Sequence, residues 1–249
     1  MTKNTADNIN SICTSLEVLG QQRLADEVRG HSATGMVSLE DLSVIFESSA
    51  ARFSNERFER YLRRSKVGTP LYLQDILDIP ERNLDLEYME QLSTLGFISN
   101  KNNLLIWGSS GTGKTWTAKM LATTACSKGL RTRWVTFPAL YDQLHRLSRS
   151  TDGQPLEGKL AYYSRFDLLC IDEFPNVSDM DPLLVQQIFN YFSEAGTTML
   201  MCMQCQPEKL DELFSIKSIG QSIRGRILQG AKRLHMTGPD LRMLSSSEL

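Results

Sequence analysis

Gly108, Gly113, Lys114 and Thr115 stand at the fixed positions of G-x-x-x-x-G-K-[ST], within Gly108-Ser-Ser-Gly-Thr-Gly-Lys-Thr115. Glycines let a backbone wrap closely around an oxyanion with its N–H groups turned inward. The positive end of a following helix adds to the attraction. A lysine at this place reaches the β- and γ-phosphates of a nucleotide, and the hydroxyl after it ligates Mg2+. The motif assigns Gly108, Ser109, Ser110, Gly111, Thr112, Gly113, Lys114 and Thr115 to phosphate binding, and Thr115 also to the metal.

A second pair of residues completes that chemistry. In Phe166-Asp-Leu-Leu-Cys-Ile-Asp-Glu173 an apolar run too short for a helix ends in two acids, 58 residues beyond Lys114. A buried parallel strand delivers carboxylates to the end of a sheet in this way. Asp172 would hold magnesium through water, and Glu173 would polarise the water that attacks the γ-phosphate. Transfer to a substrate hydroxyl needs no glutamate poised over water, so the pair favours a nucleotide triphosphatase over a small-molecule kinase.

The elements that position these residues follow from the pattern. Strands are predicted at 103–107, 131–136, 166–171, 197–203 and 232–236, and helices at 114–127, 138–149, 181–195, 208–214 and 219–230. The alternation predicts an α/β fold, a parallel sheet with helices on both faces. Ahead of it, Ile9, Ile12, Leu16, Leu19 and Leu24 recur at roughly helical spacing, and Gly30 to Gly35 breaks the pattern. Ser38-Leu-Glu-Asp41 reads as a capping box that opens a helix running to about Lys66. The predicted organisation is a helical domain over 1–66, a linker over 67–90 that packs onto the next domain, and the α/β domain over 91–249.

The net charge of −2 hides an uneven distribution: 0 over residues 1–70, −5 over 71–100 and +3 over 101–249. No apolar run approaches the ~20 residues needed to cross a membrane, and the N-terminus lacks the apolar core of a signal peptide. Five cysteines include one lone C-x-x-C, Cys202-Met-Gln-Cys205, without a second pair at zinc spacing. Cys126 and Cys170 fall on apolar faces. A reducing, cytoplasmic setting is the expectation.

Other residues admit two readings each. Gln204, at the end of an apolar strand, could sense the γ-phosphate or cap a loop. Arg224 and Arg226, on a late helix, could reach a neighbouring subunit's γ-phosphate or be solvated. Arg242 could touch nucleotide or be a tail charge. Arg146, Arg149, Lys159 and Arg165 flank the polar loop from Ser148 to Gly153 and could meet DNA phosphates or water.

The ordered set of blocks resembles the IstB-like family of AAA+ ATPases, helpers of insertion-sequence transposases. It is similar, more distantly, to DnaC-like helicase loaders. The resemblance rests on Glu90-Gln-Leu-Ser-Thr-Leu-Gly-Phe-Ile98 running into Asn103-Leu-Leu-Ile-Trp-Gly108, on Arg165 to Glu173, and on Lys232-Arg-Leu-His-Met-Thr-Gly-Pro-Asp-Leu-Arg242. It implies an AAA+ core without a full lid, and a helical N-terminal domain that meets the transposase. It also implies ATP and Mg2+ as ligands and ATP-dependent homo-oligomers on duplex DNA. Residue by residue, it implies Gln204 as first sensor and Arg226 as arginine finger, with Arg224 as fallback. Gln204 departs from the family's wider superfamily, where Asn, Ser or Thr is more usual. The alternatives are a replicative helicase loader, a module that binds ATP with little hydrolysis, and a metabolic kinase indifferent to DNA.

Overall fold

The computed structural model describes residues 3–18, 21–33, 39–77, 84–149 and 154–243. Contacts divide the chain into two units, Met1–Arg57 and Phe58–Leu249. The division falls inside a helix and before residue 66, so the last turns of that helix belong with the larger unit.

The smaller unit holds α1 (Lys3–Val18), α2 (Gln22–Ala33) and the first part of α3 (Leu39–Ser65). Ile9 and Cys13 of α1, Leu24, Ala25 and Val28 of α2 and Ile45 of α3 form its core. Helix spacing brings each set to one face. Glu27 accepts from Ser49 at 3.0 Å and Arg52 at 2.5 Å, which ties α2 to α3. The helical pattern was expected to break first at Gly30. Instead α1 and α2 are separate helices, and α2 runs through Gly30 to Ala33. Gly30 has no neighbour near its missing side chain, and a glycine inside a helix costs only about 1 kcal/mol. Ser38 of the expected capping box lies outside the described residues.

The larger unit is a five-stranded sheet in the order β2-β3-β4-β1-β5, parallel throughout. Its strands are β1 (Leu104–Trp107), β2 (Thr132–Thr136), β3 (Leu168–Phe174), β4 (Met199–Met203) and β5 (Lys232–His235). Short helices α4 (Leu73–Leu77), α5 (Leu86–Ser93) and α6 (Gly96–Ser99) precede β1. The others are α7 (Lys114–Ser127), α8 (Phe137–Ser148), α9 (Gln154–Ser164), α10 (Pro182–Glu194) and α11 (Lys217–Leu228).

Alternation along the strands sorts the core into two layers. Leu104, Ile106, Cys170, Leu200 and Cys202 meet Met120 and Leu121 of α7 on one face. Leu105, Leu169, Ile171 and Met201 meet α8 to α11 on the other. Both faces are covered, so the strands read as unbroken apolar runs. This is the expected α/β architecture, a parallel sheet with helices on both faces, preceded in the chain by a helical region.

Val67, Ile76 and Met89, in the segment expected as a linker packed onto the next domain, are buried in the α7-side core. Two details differ from expectation. Helix α9, just after the polar loop, was not anticipated; Leu156, Leu160 and Tyr163 put one buried face on it. The segment expected as a helix at 208–214 is a 3-10 helix over Pro207–Leu213. Among the described residues no helix is long and apolar enough to cross a membrane.

Candidate nucleotide site

The loop 108–113 leaves β1 and enters α7 at the carboxyl ends of the strands, where ligands of open parallel sheets bind. Gly111 (φ 79°) and Gly113 (φ 91°) adopt left-handed backbone that favours glycine. The Lys114 ammonium donates to the carbonyl of Gly108 at 2.8 Å and to that of Ser109. Burial lowers the pKa of Lys114 and Arg242 acts in the same direction, while Cys202 and Asp172 oppose it.

Thr115 Oγ1 donates to Asp172 Oδ1 at 3.2 Å. β3 and α7 are thereby joined through a hydroxyl and a carboxylate, hard oxygen donors of the kind Mg2+ takes. Asp172 is buried, whereas Glu173 is exposed. The difference comes from an irregularity in β3: its register against β4 shifts between Ile171 and Phe174, and Glu173 sits at φ 56°. A bulge re-aims a side chain at the cost of local strain. Here two successive residues both reach the cavity instead of pointing to opposite faces. The expected strand end at Ile171 therefore lies further on, at Phe174.

Because β4 lies between β1 and β3, the residue after it emerges between the loop and the acidic pair. That residue is Gln204. A cavity of about 740 Å³ opens over this edge, lined among others by Lys114, Thr115, Asp172, Glu173, Gln204 and Arg242. Its size is in the range of small-molecule sites.

The IstB-like ATP binding protein family matches residues 14–248. The chain belongs to that family.

Among similar proteins, one of Sinorhizobium fredii named as an insertion-sequence ATP-binding protein, y4uH, is 26% identical over 206 residues, 82% of this chain and 81% of its own. One of Pseudomonas fluorescens, named for insertion sequence IS1162, is 27% identical over 177 residues, 70% of this chain and 73% of its own. The crystal structure of DnaI superposes with a TM-score of 0.51 at 20% identity, over 73% of this chain and 92% of that one, a likeness of fold.

In this IstB-like chain the two arginines of α11 are held differently. Arg224 donates to Asp211 Oδ1 at 2.6 Å and to the Glu208 carbonyl at 2.8 Å. Asp211 is buried, so Arg224 serves as the counter-ion of an interior carboxylate. Arg226 donates to Ser222 of its own helix, at 2.5 Å to the hydroxyl. Neither lines the cavity. Cys202 and Cys205 pack into opposite layers of the core, an arrangement that does not bring the two thiols together.

Sequence reasoning passed over Trp116, 46% exposed in the first turn of α7 and part of the cavity wall. Its place directly after Thr115 was the available signal. It also passed over Asp240, whose position depends on how the end of the chain folds back.

Of the basic residues weighed for DNA, Arg146, Arg149 and Arg165 are exposed. Lys159 lies over the rings of Tyr162, at 4.6 Å, and Tyr163. The same Tyr162 ring receives Arg133, whose guanidinium donates to the Arg64 carbonyl at 3.3 Å. Exposed Arg60, Arg63, Arg64 and Lys66 stand in the last turns and at the end of α3. A basic, aromatic surface thus forms along the β2 edge of the sheet.

Proposed function

We propose that this protein is an ATP-dependent helper of transposition: it binds ATP and Mg2+, hydrolyses ATP, assembles into homo-oligomers on duplex DNA and recruits or activates a transposase. The carrying observation is the contact between Thr115 and Asp172 with Glu173 turned out beside it. Membership in the IstB-like family and relatives named for insertion sequences support the biological setting. The protein works in the cytoplasm, and the helical domain, 1–66 on the sequence reading, meets the transposase.

Each residue has a stated task. The backbone of 108–113 cradles the phosphates, and Lys114 leaves the loop carbonyls to neutralise them. Thr115 and Asp172 hold the magnesium, which spreads phosphate charge when bound. Glu173 orients the attacking water, and Gln204 places its amide against the γ-phosphate. Arg226 reaches the site of the next subunit, a task Arg224 is poorly free to perform while Asp211 holds it. The surface at Arg64, Arg133 and Lys159 tracks DNA phosphates, with Tyr162 stiffening it.

The test is ATP turnover and electron microscopy of the full-length protein on duplex DNA, with and without the transposase. Nucleotide-dependent assemblies on DNA and turnover that responds to DNA or transposase are expected. Turnover driven by a small hydroxyl acceptor and indifferent to DNA would overturn the reading. Stimulation by a replicative helicase in place of a transposase would convert it to that of a loader.

A further inference from the structure

After β5 the chain turns back along the phosphate loop. The Met236 N–H donates to the Trp107 carbonyl at 2.7 Å, and the Leu241 N–H to the Gly111 carbonyl at 3.1 Å. His235 stacks on Trp107 with centroids 3.6 Å apart. The segment fills the space that side chains on the loop would need. A Cβ on Gly108 would come within 2.1 Å of the Met236 carbonyl oxygen, and one on Gly111 within 1.8 Å of Asp240 Oδ1. A carboxylate is therefore docked on a loop built to receive anions.

Asp240 is held there by Arg242. The guanidinium donates through Nε to Oδ1 at 2.9 Å and through Nη2 to Oδ2 at 2.6 Å, the two-pronged pairing that carboxylates and phosphates both make with arginine. Nη2 also donates to Ser110 Oγ at 3.0 Å, and Arg242 lines the nucleotide cavity. The edge of the guanidinium best suited to a phosphate is thus occupied by a carboxylate of the same chain.

We infer that Asp240 is a positioning residue for nucleotide binding: it parks Arg242 at the lip of the phosphate loop and competes with the nucleotide phosphates for that guanidinium. Arg242 holds the Asp240 pKa down to about 2, so the competing charge is present wherever the protein is folded near neutral pH. The pair is exposed, and exposed ion pairs are readily exchanged. Incoming phosphate takes over the guanidinium and releases the Asp240 carboxylate, while the backbone bond from Leu241 to Gly111 keeps the segment on the loop.

The inference rests on nucleotide binding at this loop, and its test separates the two. A fluorescent ATP analogue is titrated into the full-length wild type, Asp240→Asn, Arg242→Ala and the double variant. Asparagine keeps the shape of aspartate and removes its charge. Asp240→Asn is expected to bind about three- to tenfold more tightly at low salt, with the gain shrinking as salt screens it. Arg242→Ala is expected to bind more weakly. In the Arg242→Ala background the asparagine should bring no gain, because the group competed for is gone. Unchanged or weaker binding by Asp240→Asn, or an equal gain with and without Arg242, overturns the competition. A wild type that binds no nucleotide overturns the nucleotide reading itself.

Discussion

Thr115 Oγ1 and Asp172 Oδ1 lie 3.2 Å apart, although 57 residues separate them in sequence. The parallel order of the sheet makes this possible: β1 and β3 both end at the same edge with β4 between them. Glu173, whose N–H donates to the same Asp172 oxygen at 3.0 Å, is exposed beside them. Lys114 and Thr115 at the start of α7 and the acidic pair on β3 therefore share an edge but hang on different elements.

That separation predicts distinct failures. Lys114→Ala should lose productive ATP binding, since the phosphates lose their half-buried cation. Glu173→Gln should keep ATP affinity within a few-fold and lower hydrolysis by about 10²–10⁴, the usual worth of a general base. Nucleotide titration and phosphate release read the two effects. Equal loss of affinity in both variants would remove Glu173 from the proposed role.

The arginines of α11 should also separate. Arg226→Ala should leave each subunit able to bind ATP and slow hydrolysis by about 10³–10⁵, as loss of an arginine finger does. Mixing it with Glu173→Gln should restore part of the rate, because mixed interfaces pair an intact Glu173 with an intact Arg226. Arg224→Ala should instead destabilise the fold by about 1–3 kcal/mol, since it leaves Asp211 buried without its cation. Thermal melting distinguishes them. Co-assembled mixtures that recover no activity would exclude a role across the interface.

Duplex binding should need ATP, show weak sequence preference and fall steeply with salt. Each phosphate contact removed should lower the slope of log K against log salt by about 0.9. Replacing Arg64 and Lys159 by alanine should flatten the slope more than replacing Arg146 and Arg149, because the first two border the continuous surface around Tyr162. The reverse ranking would move the DNA path to the end of α8.

The end of α3 should matter for stability as well. Leu62 packs against the α7-side core, and buried Ser65 links the Leu62 carbonyl to the Val67 N–H. A fragment beginning at residue 58 should therefore melt higher than one beginning at 67. Loss of a partly buried leucine at about 1–3 kcal/mol corresponds to roughly 3–10 °C for a domain of this size. Equal melting temperatures would place the boundary near 66 after all.

The phosphate loop, the acidic pair and the five strands were legible because glycine spacing and short apolar runs are local signals. Gln204 was legible as a strand end, but its place between loop and carboxylates follows from strand order, which no local pattern encodes. Helix α9 was hidden because it follows a polar loop and carries Gly158 in its interior, and burial of Leu156, Leu160 and Tyr163 outweighs the low helix propensity of that glycine. The contact of Asp240 with the loop was illegible, since a two-residue spacing to Arg242 says nothing of a glycine more than a hundred positions earlier. Nor does Glu173 announce that it will take φ 56°.

That unusual backbone at Glu173 has an evolutionary reading. The extra residue in β3 is what brings the glutamate beside Asp172, while the contact from Thr115 reaches only Asp172. A deletion of one residue just after Asp172 would let β3 pair flush with β4 and relax the local strain. On the proposed roles, such a descendant would keep the Thr115–Asp172 contact and lose the glutamate beside it in a single mutational step. Lineages of this fold that hold ATP without spending it should carry β3 without the bulge.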